Sequence, residues 1–96
     1  APDKVAQFRA LARQKGLTPT AALAALVAAH ADIRQPFGPR VRAQHGPDGM
    51  RYGAVLPDPK VSEEVAFGLV EDARAAGISL GEAMRQLVDR CLEQSR

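Results

Sequence analysis

Ninety-six residues suffice for one domain, expected to span 1–96, and leave too little chain to enclose a large catalytic cleft. Apolar residues make up 46% of the chain but are mostly Ala, Leu and Val, with no Trp, one Tyr and three Phe, so the core must be built from small side chains on closely packed helices. The net charge of +2 hides an asymmetry: residues 1–51 carry eight basic against three acidic side chains, +5, and residues 52–96 five against eight, −3. A basic half of this kind suits a polyanion. The longest apolar run, residues 21–31, is far shorter than the roughly 20 residues a membrane-spanning helix needs, and no charged start with a cleavage site precedes it. The lone Cys91 builds neither a disulfide framework nor metal-ligand spacing. Together these features predict a cytoplasmic protein without membrane contact.

Residues 3–31 read as a helix, a tight turn and a second helix. Gly16 supplies the left-handed conformation that closes the first helix. Thr18 is placed to cap the second, with Pro19 at the first helical position, where its missing N–H costs nothing. Ala22, Leu23, Leu26, Val27 and His30 form the apolar stripe of that second helix.

Residues 36–57 are rich in Pro and Gly, among them Pro36, Gly38, Pro39, Gly46, Pro47, Gly49, Gly53 and Pro57, which rules out a continuous helix. Residues 40–44 alternate polar and apolar as a half-buried strand does. Residues 50–56 form a second strand candidate, and Gly46-Pro47-Asp48-Gly49 between them has hairpin-turn chemistry. The expectation is a short two-stranded antiparallel ribbon.

Residues 61–93 repeat the helix pair. Val65, Leu69 and Ala73 recur at helical spacing and Gly77 closes the helix. Ser79 followed by Glu82 is a capping box, in which hydroxyl and carboxylate each satisfy an orphaned backbone N–H. Leu80, Ala83, Met84, Leu87, Val88, Cys91 and Leu92 draw the stripe of the last helix. Sliding the chain by 61 residues superposes the two pairs: Ala12 on Ala73, Arg13 on Arg74, Gly16 on Gly77, Ala22 on Ala83, Leu26 on Leu87 and Val27 on Val88. Conservative matches fill in, with Phe8 on Leu69, Leu17 on Ile78, Thr18 on Ser79 and Leu23 on Met84.

The run Ala54-Val55-Leu56-Pro57, then a helix, then Gly77-Ile78-Ser79-Leu80-Gly81-Glu82-Ala83-Met84-Arg85 resembles the ribbon-helix-helix family of Arc and MetJ type repressors. The resemblance covers residues 50–92 well and 4–31 less well. It implies a fold mainly helical with a two-stranded ribbon that enters the DNA major groove, the two helix pairs packing as a single-chain pseudo-dimer. The first copy shows no strand before its helix, so the ribbon is expected from the middle segment. Similar tandem proteins act in conjugation and DNA transfer, which implies double-stranded DNA as partner, a role in transcriptional repression or plasmid and transfer-origin maintenance, and relaxosome or other DNA-transfer proteins as further partners. The chain would work as a monomeric pseudo-dimer or as a higher oligomer on DNA.

On that reading Arg40, Arg42, Gln44 and Arg51 are the base-contacting candidates, because Arg pairs with guanine and Gln with adenine at base edges. Thr18, Thr20, Ser79 and Gly81, at the starts of the second helix of each pair, offer backbone N–H groups to phosphate, with Lys15 and Lys60 adding charge. Thr18 and Ser79 serve as caps in either case. His30 aligns with Cys91, but two ligands do not make a four-coordinate metal site, so a core position is expected and no metal or cofactor. His45 and Asp48 read as turn residues. Ser62 and Ser79 look like helix starts and Ser95 lies in the tail, which leaves no nucleophile, and the scattered glycines form no phosphate loop. No enzyme is expected. The alternative is a helical protein–protein adaptor, antitoxin-like or part of a secretion complex, whose apolar stripes engage a partner.

Overall fold

The computed structural model describes residues 4–40 and 56–94. They form four helices: α1 (Lys4–Gln14), α2 (Pro19–Ile33), α3 (Glu63–Ala75) and α4 (Leu80–Gln94). Helices α2 and α4 are both 15 residues long and begin 61 positions apart.

The two tight turns are built alike, bond for bond. Gly16 and Gly77 adopt φ of 71° and 69°, a left-handed conformation that a Cβ disfavours. Leu17 N–H then reaches back to the carbonyl of Ala12 at 2.9 Å, as Ile78 N–H does to that of Ala73 at 3.0 Å. The next helix starts on a hydroxyl cap in each case. Thr18 Oγ1 accepts from Ala21 N–H and Ser79 Oγ from Glu82 N–H, both at 3.1 Å. Ser62 caps α3 in the same way, accepting from Val65 N–H at 3.3 Å, and Glu63 and Glu64 complement the helix dipole in its first turn.

Packing follows from the small residues. Helix α1 packs on α2 and α4, α3 packs on the same two, and α2 packs on α4, whereas α1 and α3 do not touch. The central pair is α2 with α4, and each outer helix lies across both. One half of the core joins Val5, Phe8 and Ala12 of α1 to Ala22, Leu23, Leu56 and Val88. The other joins Leu69 and Ala73 of α3 to Val27, Phe37, Ala83 and Leu87. Leu26 of α2 and Met84 of α4 pack against both halves and fuse them. The chain leaves α1 through a 91° bend into α2, and no single helix among the described residues is long and apolar enough to cross a membrane.

The expected two-stranded ribbon is replaced by an all-helical fold, with no strand among the described residues. Residues 41–55, which include most of both proposed strands and the 46–49 turn, lie outside the described residues. The flanks that are described show what takes the place of strand pairing. Pro36, Pro39, Pro57 and Pro59 lack the N–H a ladder needs. Around Gly38 the backbone is bonded to side chains of α4. Gln86 Oε1 accepts from Gly38 N–H and Gln86 Nε2 donates to the Gly38 carbonyl, both at 2.9 Å, while Arg90 donates to the Pro36 carbonyl at 2.8 Å. With the Phe37 ring buried between them, residues 36–39 form a strap across α4 rather than the edge of a ribbon.

Candidate nucleic-acid interface

A protein that binds a polyanion needs cations that are not already neutralised, so the partners of each basic residue decide where such a surface lies. Four of the described cations are held internally. Lys4 Nζ meets Asp89 Oδ1 at 2.9 Å, Arg85 meets the buried Glu82 at 3.0 Å, and Arg90 bonds Pro36 with its guanidinium 5.2 Å from the centre of the Phe37 ring. Arg34 forks onto Asp72 at 2.7 and 3.0 Å and also reaches Glu71 at 3.4 Å and the Gly68 carbonyl.

Six others, Arg9, Arg13, Lys15, Arg40, Lys60 and Arg74, are exposed and have no ion pair or side-chain hydrogen bond among the described residues. Three of them follow one another along α1 and the turn after it. Arg9 and Arg13 stand one turn apart on α1, Lys15 lies in the turn that follows, and α1 holds no acidic residue. That turn leads directly to the start of α2, where Thr18 is exposed and Thr20 half-buried. The Thr18 hydroxyl serves Ala21 N–H and Pro19 has no N–H, so of the first turn the Thr20 N–H is left for an anion.

The equivalent start of α4 is built differently. Ser79 is exposed, but Arg85 folds back so that its guanidinium lies 3.4 Å from where a Cβ on Gly81 would be, and Glu82 carries its carboxylate into the interior. There Glu82 accepts from Arg85 at 3.0 Å and from Gln86 at 3.3 Å. The glutamate of the expected capping box thus ties the helix start to the strap-holding Gln86. Lys60 is exposed ahead of α3 and Arg40 is exposed at the end of the strap. Arg42, Gln44 and Arg51 lie outside the described residues, as do His45 and Asp48.

Between α2 and α3 runs a polar cluster, from the buried His30 out to the exposed Arg34, that no sequence pattern announced. His30, with its side chain 2% exposed, places Nε2 2.8 Å from Asp72 Oδ2 and stacks on Phe37 with ring centres 4.7 Å apart. The hydrogen bond from Arg34, with His30 on the same carboxylate, holds Asp72 ionised below the usual carboxylate range. The carboxylate is therefore an acceptor and His30 Nε2 the donor. Arg34 itself sits at φ of 53°, in the left-handed region, with its N–H bonded to the His30 carbonyl. The cluster fastens the end of α2 to α3, and it involves residues about 40 positions apart, beyond the reach of local motifs. Cys91 is half-buried, and no group of three or more His, Cys, Asp or Glu able to hold a metal occurs among the described residues.

The Asp72 linkage has a direct consequence in acid. A carboxyl whose folded pKa lies below its ordinary value of 3.8 stabilises the fold above that value and loses the contribution as pH falls through the folded pKa. Urea midpoints should fall as pH drops below about 4. Asp72→Asn should start lower at neutral pH and show a flatter acid limb. An unchanged acid limb in that variant would remove Asp72 as its source.

No family model, curated protein or solved structure matches this chain.

Proposed function

We propose that the protein is a duplex-DNA-binding module that docks on phosphates through the outer face of α1 and the start of α2. The observation that carries this is the run Arg9, Arg13 and Lys15, exposed and without ionic partners among the described residues on a helix free of acid, while Lys4, Arg34, Arg85 and Arg90 are engaged by other groups of the chain. The role is binding without chemistry, as repressor or DNA-transfer accessory factor. It keeps Lys15, Thr18 and Thr20 as phosphate-binding residues and does not use a ribbon. Ser79, Gly81 and Lys60 belong to the other helix pair and contribute less, because Arg85 already occupies the approach to Gly81.

Fluorescence anisotropy of labelled duplex at several salt concentrations tests it. Affinity should fall steeply with salt, and Arg9→Ala, Arg13→Ala, Lys15→Ala together should lower the log–log slope by about 3, near one for each phosphate that is no longer neutralised. Absence of binding at low salt would overturn the proposal, and so would a triple variant that binds like the parent.

One observation favours the adaptor as a second reading. Phe67 is 64% and Ile33 82% exposed, with Val70 also exposed on α3, and apolar side chains of this size outside the core mark protein-binding surfaces when they cluster.

A further inference from the structure

The outer helices α1 and α3 occupy equivalent places on the central pair, so their solvent faces can be compared position by position. A shift of 61 residues sets Ala6 against Phe67, Arg9 against Val70, Ala10 against Glu71 and Arg13 against Arg74. All eight are exposed, and on each helix they share the face turned away from the core residues Phe8 and Ala12 or Leu69 and Ala73. The two faces differ in a matched way. On α1 two alanines leave a shallow gap flanked by cations. On α3 a phenylalanine and a valine stand out, with Glu63 and Glu64 in the turn before them, Arg74 in the turn after, and Glu71 beside them engaged by Arg34. Size answers size, and the acidic first turn of α3 answers the cations of α1.

We infer that this protein associates head to tail with a second copy of itself, the Phe67 and Val70 ridge of α3 on one copy seating between Ala6 and Ala10 of α1 on the next, with Glu63 and Glu64 opposite Arg9 and Arg13. A bulky side chain over alanines lets two helices approach closely and takes the exposed ring out of water. Opposite charges at the rim fix the orientation and make the association sensitive to salt. Because α1 and α3 do not touch and sit on different flanks of the central pair, each copy keeps one face free after pairing. The interface is heterologous, so association proceeds stepwise, into a ring where the rotation between copies closes and into short open chains where it does not. A single helix-on-helix interface is small, which places the association in the weak, reversible range. The inference is independent of the duplex reading, but both engage Arg9 and Arg13, so a duplex and a neighbouring copy exclude each other on any one α1.

Sedimentation velocity without DNA, from about 10 µM to about 1 mM, separates the two ideas. The parent should sediment faster as concentration rises at low salt, about 0.05 M, and revert to monomer at about 0.5 M, where screening is strong. Phe67→Ser should remain monomeric throughout, with its helical circular dichroism unchanged because the ring is exposed. A charge exchange gives the sharper readout. Glu63→Lys with Glu64→Lys makes both faces basic, and Arg9→Glu with Arg13→Glu makes both acidic, so each variant should be monomeric alone and the mixture should associate. A parent that stays monomeric at low salt overturns the inference, as does association that survives Phe67→Ser or a mixture of exchanged variants that remains monomeric. None of these outcomes bears on whether the parent binds duplex in the anisotropy experiment.

Discussion

Phe8→Ala should cost about 3–5 kcal/mol of folding stability, the range seen when a buried aromatic is truncated and the surroundings close only partly over the gap. Phe8 is 2% exposed and is among the largest fully buried side chains, packed in the half of the core that draws on α1, α2, α4 and Leu56. Val5, Ala12, Ala22 and Val88 belong to the same cluster, and their short side chains cannot reach into the space left behind. A domain of this size holds only about 5–15 kcal/mol in total, so the variant should be close to unfolding at physiological temperature. Phe8→Leu places at this position the residue that the other pair carries at Leu69, and it should destabilise much less. Urea unfolding followed by circular dichroism measures both. A cost below about 1 kcal/mol for the alanine variant would contradict the packing described.

Phe37→Ala is expected to have the next largest effect, about 3 kcal/mol from reduced burial. Its consequences differ in kind, because Phe37 belongs to the strap and not to a helix. The ring joins the half of the core that includes Leu69, Ala73 and Ala83, stacks on His30 and lies under Arg90. Without it the strap keeps only the bonds from Gln86 and Arg90, which reach partly solvated backbone. The Gly38 amide, now bonded to Gln86 Oε1, should then exchange with solvent much faster than in the parent, while amides in the middle of α2 should change only with global stability. Hydrogen exchange measured residue by residue gives the answer. An unchanged Gly38 rate would mean that Gln86 alone holds the strap.

The helices were legible because their signals are local. Gly16 and Gly77 close one helix three residues before the next begins, and Thr18, Pro19, Ser62 and Ser79 mark starts within a single turn. The stripes along α2 and α4 likewise named residues that turn out buried, including Leu23, Val27, Leu87 and Val88. The middle of the chain misled for a physical reason. Alternation and a Pro-Asp-Gly turn within 40–56 suggested a ribbon, whereas the described flank, at Gly38, has its hydrogen-bonding groups satisfied by a glutamine 48 positions away, a partner that no short window contains. The same distance hid the His30, Arg34 and Asp72 cluster, and it hid the division of cations into those engaged inside the fold and those left outside. Charge counting found the basic half, but Lys4 and Arg34 within it are bound to Asp89 and Asp72 of the acidic half. Among the described residues the exposed, unpaired cations are fewer than the count implied, and Arg9, Arg13 and Lys15 follow one another along α1 and its turn, a helix the ribbon reading did not use.

The most direct test is a two-dimensional ¹⁵N–¹H spectrum of the labelled protein titrated with a short duplex at low salt, checked beforehand to be monomeric at the concentration used. Docking through α1 predicts that amides of Arg9, Arg13, Lys15, Thr18 and Thr20 shift together with one affinity, and that amides of Phe67, Val70 and Glu71 on α3 stay in place. Shifts centred on α3, or none anywhere at saturating duplex, would contradict it.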